Sequence, residues 1–463
     1  MNYFFFSLFL TIFFMRSNEN MQINKSDLIL NRGGHIQNEK KENNNFNKRK
    51  LKTSKKCIED TYIEQSYVDL KIHIDTLNLD NQLSSKNLNN IKEPIIKAME
   101  YSINFFESFL EINVGMESHF SNEELIEKYG IQNWDKTLVD EVIDGNNGMF
   151  AKGISFVVWI KLDEENIMGE ELILAEPIIF DTCGQPEVGL ITLNPNINYN
   201  SLSDNYLKSI MLHKFTHLLA FHKAILAYID DDGDPFYDRI LKQDPNDKHF
   251  YLDSQDSPHV IDFAKKYFGC DEITTISLEM DSKGNVHWPS RILLGEYMSE
   301  LLYNEEQSIS GFTIALLEDV GYFKLKNTFK YTGGLMRFGK NKGCNFYYQK
   351  CIGYIDNDGE EVKFENEFYY PTDDHINENY EQPSCSSGRQ SKTIYKLKKY
   401  SQGKIPLEYQ YFEDSTLGGL ESANFCPVSQ TNSVEIYSGH CSNTNNIPNK
   451  ERGEFFHQNL FVL

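Results

Sequence analysis

The sequence predicts an α+β fold, and three observations carry the expectation. Ile154 to Ile160 (ISFVVWI) is an apolar run of strand length, apolar positions recur at helical spacing in two longer segments, and the chain after Cys351 breaks into short Gly-, Asn- and Tyr-rich stretches. In chain order, Tyr67, Leu70, Ile72 and Ile74 come close to alternation and read as a strand. Ile91, Ile95, Ile96, Met99, Ile103 and Phe106 then recur as the stripe of an amphipathic helix. The ISFVVWI run reads as a buried strand, and Leu190 to Leu193 as another short one that Asn194-Pro195 stops. Ser203 or Asp204 can cap a helix carrying Leu207, Ile210, Met211, Phe215, Leu218 and Leu219. The C-terminal segments are expected to be β- and loop-rich and tied by disulfides.

A chain of 463 residues is too long for one small module and is expected to hold two or three subdomains. Hydrophobic residues at 40%, with 32 Phe and 26 Tyr, supply a packed interior and exclude a disordered chain. No internal repeat of fixed period is present. Lys and Arg number 45 against 68 Asp and Glu, so the chain repels phosphate backbones, and nucleic acid is excluded as a partner class. No run reaches the roughly 18 apolar residues that span a bilayer.

Tyr3 to Met15 form one apolar run interrupted by Ser7 and Thr11, which reads as a signal peptide over residues 1–15; an uncleaved anchor is the alternative. Residues 16–60 are polar, and between Lys40 and Lys56 eight cations face one acid, Glu42, in a block unsuited to a core. It reads as a solvated tail or as a basic pro-segment cut near Lys48-Arg49-Lys50. Eight cysteines lie scattered without a C-x-x-C pair, which favours disulfides in an oxidising compartment over a thiolate metal site.

The chemistry concentrates on the second helix. His213 and His217, at i and i+4, lie on one face, where both imidazoles can reach a single zinc ion. His222 falls on a different face, and His249 and His259 read as surface residues. His287 is better placed, in Gly284-Asn285-Val286-His287-Trp288-Pro289-Ser290-Arg291 ahead of Gly295-Glu296-Tyr297-Met298.

These segments resemble the leishmanolysin family of zinc endopeptidases, whose third histidine comes long after the helix and precedes a methionine turn. Phe268-Gly269-Cys270-Asp271, Leu278-Glu279, the run Thr313 to Tyr322, Gly343-Cys344-Asn345-Phe346, Gly418-Gly419 and Asn424-Phe425-Cys426-Pro427 occur in the order that family shows. The resemblance covers roughly residues 57 to 430. It implies a zincin-type metallopeptidase fold, Zn2+ held by His213, His217 and His287, and Met298 as the apolar floor of the site. Cys57, in Cys57-Ile58-Glu59-Asp60, is similar to the pro-segment cysteine that blocks the zinc in such precursors. If it does so, the seven remaining cysteines cannot all pair within the chain.

One departure bears on catalysis. In H-E-x-x-H peptidases the glutamate takes a proton from water and hands it to the leaving amine, while the zinc polarises the scissile carbonyl. Here Lys214 occupies that position. An ammonium has no acceptor, and losing a general base costs roughly 10² to 10⁴ in rate, so peptide hydrolysis is expected to be severely impaired. The escape is a Lys214 amine made neutral by burial and zinc. Ala220 replaces the glycine the family usually shows three residues after the second histidine, a mild departure at the end of the helix.

The resulting expectation is a secreted or cell-surface leishmanolysin-like zinc protein, divided at residues 61–225, 226–350 and 351–463. Its partners are a protein or peptide substrate or ligand. The alternatives are an active zinc endopeptidase, and a cell-surface adhesion or peptide-binding protein that uses the inactive cleft. The last residues, Asn459 to Leu463, are too short for the hydrophobic tail of a lipid-anchor signal.

Overall fold

The computed structural model describes residues 67–430, apart from connecting segments of which 114–128, 300–307, 328–335 and 364–380 are the longest, together with short strands at 455–457 and 460–462. The signal peptide, the basic segment and Cys57 lie outside the described residues.

Strands β1 (Tyr67–Asp69) and β2 (Ile72–Asp75) open the fold, followed by helices α1 (Leu77–Lys86) and α2 (Lys92–Phe109) and strand β3 (Leu110–Asn113). The single strand expected over Tyr67 to Ile74 is therefore two strands. Leu70 N still donates to Leu110 O on β3, whereas Lys71 O accepts from Ser155 and Phe156 of a different sheet. Apolar alternation continues through the crossing because Leu70 is fully buried, so the pattern alone does not reveal it.

Strands β4 (Phe156–Leu162), β5 (Ile173–Phe180) and β6 (Pro186–Leu193) complete a four-stranded sheet of order β2-β4-β6-β5. The β2/β4 and β4/β6 pairs are parallel, and β5 runs antiparallel along β6. All eight residues of β6 are buried, and the strand begins at Pro186, four residues before the Leu190 to Leu193 that the sequence marks. Helix α3 (Asp204–Leu219) lies against β5 and β6, with α2 packed on it. Gly189 on β6 permits this approach, since a Cβ there would stand 2.7 Å from Leu218 Cδ1.

Ser203 caps α3 by accepting from Tyr206 N at 3.2 Å, and Asp204 places a negative charge at the positive end of the helix. Met211, Phe215, Leu218 and Leu219 are fully buried, each stabilising the fold by about 1.5–3 kcal/mol. The helix ends at Ala220 with φ −150°, ψ −43°, while Ala220 N and Phe221 N both donate to Thr216 O. That ending uses no left-handed residue, so alanine in place of glycine meets no positive-φ penalty there.

The second sheet is antiparallel, of order β7 (Lys242–Gln243), β8 (Phe250–Asp253), β9 (Thr275–Met280) and β10 (Val286–His287). Helix α4 (Pro258–Phe268) packs on α5 (Gly311–Asp319), and β11 (Phe323–Leu325) pairs with β3 to complete a β1-β3-β11 sheet. Disulfide Cys270–Cys344 closes a loop within this half, and Cys351–Cys426 ties together the C-terminal region, which is built of short strands and 3-10 turns. Gly419 is required beside the second bridge, because a Cβ there would lie 1.8 Å from Cys426 O. Mixed sheets and helices make the protein α+β, as the sequence predicts. Among the described residues, no helix is long and apolar enough to cross a membrane.

Candidate metal centre

Helix α3 and strand β10 meet where the chain leaves the helix. Phe221 O accepts from Val286 N at 3.0 Å, and an isolated bridge joins His222 to Asn285, so β10 is sewn to the helix end. The effect is to bring His287 against His213 and His217, across about 70 residues of chain. The His287 ring stacks on His213 (centroids 5.3 Å apart, planes 21°) and stands edge-on to His217 (4.8 Å, 85°). One nitrogen from each ring lies within 4.8 Å of the others, and all three side chains are buried.

The hydrogen bonds fix which nitrogens are free. His213 Nδ1 lies 2.7 Å from Tyr297 O and His217 Nδ1 lies 2.7 Å from Phe221 O. Carbonyls only accept, so both Nδ1 atoms carry the proton and both Nε2 atoms present lone pairs. Those two Nε2 atoms face each other at 2.9 Å with no proton left to share. A cation coordinated by both satisfies them, and backbone carbonyls holding the remote nitrogens are the usual support of metal-bound histidines.

Burial lowers the pKa of His213 and His217 well below the ordinary range, with the neighbouring imidazoles and Lys214 adding to the effect. His287 is pushed down to about 4, again chiefly by burial. All three are therefore neutral at physiological pH, the form in which imidazole ligates. By donor type, protonation and spacing the residues fit a metal ion.

Lys214 follows His213 directly and is half-buried. Its side chain makes no hydrogen bond or ion pair among the described residues. Burial lowers its pKa, and the negative charges of Glu171 and Asp281 pull the other way. Met298 is fully buried in the turn after His287, where Trp288 N donates to Met298 O at 2.9 Å. His222 stays out of the centre: its Nδ1 accepts from Ala224 N and its Nε2 donates to Lys283 O, each at 3.2 Å. His249 and His259 are exposed, as the sequence suggests.

Three residues that the spacing of histidines does not reveal hold the centre in place. Tyr297 and Phe221 act through their carbonyls. Glu296 is fully buried and accepts from Met298 N, Ser310 N, Ser310 Oγ and Thr313 Oγ1, and Thr313 also accepts from Trp288 Nε1 at 2.9 Å. One carboxylate thus binds the methionine-bearing turn to α5. A lone acid in the apolar stretch Ile292 to Met298 was the available signal.

The family model described as Leishmanolysin matches residues 151–460, a span that contains all three histidines, Glu296 and Met298. The chain belongs to the leishmanolysin family. Among curated relatives, a leishmanolysin homolog of Crithidia fasciculata is 25% identical over 248 residues, 52% of this chain and 34% of the relative. A leishmanolysin-like peptidase of Caenorhabditis elegans is 23% identical over 294 residues, 53% of this chain and 43% of the relative, and one of Caenorhabditis briggsae is 24% identical over the same shares. The matched part therefore spans less than half the length of these relatives. The leishmanolysin family is one of metallopeptidases, and the geometry of this chain's buried histidine triad could hold a metal ion.

Proposed function

We propose that the protein is a zincin-type leishmanolysin-family member that binds Zn2+ through His213, His217 and His287 and hydrolyses peptides poorly. The observation that carries this reading is the pair of proton-free Nε2 atoms 2.9 Å apart, with Lys214 where the family motif places its glutamate. Zinc in such a site supplies Lewis acidity that polarises a carbonyl and acidifies water. Within this reading Tyr297 O and Phe221 O orient two ligands, the Glu296 network holds the turn bearing Met298, and Met298 floors the site. Lys214, as an ammonium, brings three donors and no acceptor, so no proton moves from water to residue 214. We extend the reading to a secreted or cell-surface location, to Cys57 as the pro-segment group that blocks the metal, and to subdivisions at residues 225/226 and 350/351.

The rival with support is a working endopeptidase. Burial moves Lys214 toward the neutral amine, the form in which it could act as a base. Zinc content and casein hydrolysis on one preparation separate the readings. The native chain is expected to carry about one zinc per chain, to lose it in His217→Ala, and to cleave casein no faster than a chelator-treated control. Chelator-sensitive cleavage at a rate equal to that of Lys214→Glu would establish the rival, and a zinc-free native chain would overturn the metal assignment itself.

A further inference from the structure

Strand β10, which carries the third histidine, is two residues long and meets β9 at two positions, Met280 opposite Val286 and Glu279 opposite His287. A pairing so short does little to fix a side chain on its own. The place of His287 therefore depends on what holds the β9–β10 turn, residues 281–285.

Three consecutive residues just beyond α3 clasp that turn and the strand after it. Phe221 O accepts from Val286 N at 3.0 Å and also lies 2.7 Å from His217 Nδ1, so the second ligand and the strand bearing the third share one carbonyl. Lys223 N donates to Gly284 O at 2.7 Å. Between them the buried side chain of His222 makes two bonds. Its Nδ1 accepts from Ala224 N in the short helix Lys223–Leu226, and its Nε2 donates to Lys283 O, each at 3.2 Å. A further tie, the ion pair of Lys283 with Glu171, joins exposed groups and contributes little.

The turn is shaped to receive the ring. Asp281 accepts from Lys283 N at 2.8 Å and from Asn285 N at 2.9 Å, which closes the turn. Gly284 has φ +88°, and a Cβ there would stand 3.2 Å from His222 Nε2 and 3.5 Å from Lys223 Cβ. Glycine thus suits both the left-handed backbone and the ring that lies against it. Position 222 calls for a flat side chain that accepts on one edge and donates on the other, and a neutral imidazole does both.

We propose that His222 is a positioning residue of the metal centre, whose imidazole ties the end of the ligand helix to the β9–β10 turn and so holds His287 against His213 and His217. This rests on the metal reading given above. His213 and His217 have their own supports in Tyr297 O and Phe221 O, so loss of the His222 tie releases the third ligand and spares the first two. A centre of three imidazoles becomes one of two.

The test uses the full-length chain loaded with Zn2+ or with Co2+, whose visible absorption bands report ligand number and geometry. His222→Ala, His222→Asn and His222→Gln are compared with the native chain and with His287→Ala, at a temperature where circular dichroism shows each folded. Glutamine places a donor near the position of Nε2 and asparagine an acceptor near that of Nδ1, so the pair separates the tie to Lys283 O from the bond to Ala224 N. His222→Ala and His222→Asn are expected to bind zinc about 10- to 100-fold more weakly than the native chain and to shift the cobalt bands toward those of His287→Ala. His222→Gln is expected to recover most of both. Native zinc affinity with native bands in His222→Ala would overturn the inference and leave the metal reading intact, and so would a His222→Gln no closer to native than His222→Asn. Should His222→Ala not fold, the comparison of Gln with Asn decides. A native chain that binds neither ion would overturn both readings.

Discussion

Tyr297 grips helix α3 at two points one turn apart: its carbonyl accepts from His213 Nδ1 at 2.7 Å, and its hydroxyl lies 2.8 Å from Thr216 Oγ1. The metal-ligand helix and the turn bearing Met298 are thereby one mechanical unit. Tyr297→Phe removes the hydroxyl contact to Thr216 and leaves the carbonyl, and Thr216 keeps its bond to Leu212 O at 2.9 Å. The expected cost is about 0.5–1.5 kcal/mol in urea unfolding, with zinc affinity nearly unchanged. A large loss of zinc would mean that the hydroxyl, and not the carbonyl, positions His213.

Glu296 should be far less replaceable. Glu296→Ala strands four donors on Met298, Ser310 and Thr313 in a buried site. Each unsatisfied donor costs about 1–3 kcal/mol, so a loss above about 3 kcal/mol is expected. Zinc affinity should fall roughly 10- to 100-fold as the support of the centre loosens. Unfolding and metal-competition titrations on the same variant check both.

Acid is expected to destabilise the metal-free protein. His222 and His287 are each pushed down to about 4 by burial, from 6.5. Between those values the unfolded chain binds protons that the folded chain refuses, so the stability held above pH 6.5 is lost as pH falls toward 4. Glu296 has the opposite sign: burial raises it to about 7 from 4.5, so its contribution is present below pH 4.5 and is lost as pH rises through 7. The histidines outnumber it, and the unfolding midpoint should drop between pH 7 and pH 5, more steeply in Glu296→Gln than in the native chain. A midpoint that rises on acidification would contradict the assignment of neutral buried histidines.

Gly189→Ala tests the seat of the helix. The added methyl would stand 2.7 Å from Leu218 Cδ1, and Leu218 sits one residue beyond His217. Overpacking of this kind costs about 1–3 kcal/mol. Unfolding should report that loss, and zinc affinity should weaken with it if α3 shifts on the sheet; an unchanged stability would mean that Leu218 has room to turn away.

Legibility in the sequence followed how locally each feature is encoded. The i, i+4 spacing of His213 and His217 and the cap at Ser203 are local, and both were readable. His287 was reachable only through the resemblance, because its approach depends on Phe221 O pairing with Val286 N, a main-chain contact that any residue types could make. The carbonyls of Tyr297 and Phe221 were invisible for the same reason. Helix α1 escaped because only Asn78, Leu79 and Leu83 of its ten residues are buried, too few for a stripe. Strands β1 and β2 merged into one because a buried Leu70 carries the alternation across two sheets.

With Lys214 in place of the motif's glutamate, the metal centre is expected to be intact and without a base. Zinc content and peptide hydrolysis, measured together on the native chain and on Lys214→Glu, test it most directly. The account expects near-stoichiometric zinc in both and hydrolysis that rises by roughly 10² to 10⁴ only in the glutamate variant. Chelator-sensitive cleavage by the native chain at a rate equal to that of Lys214→Glu would contradict it.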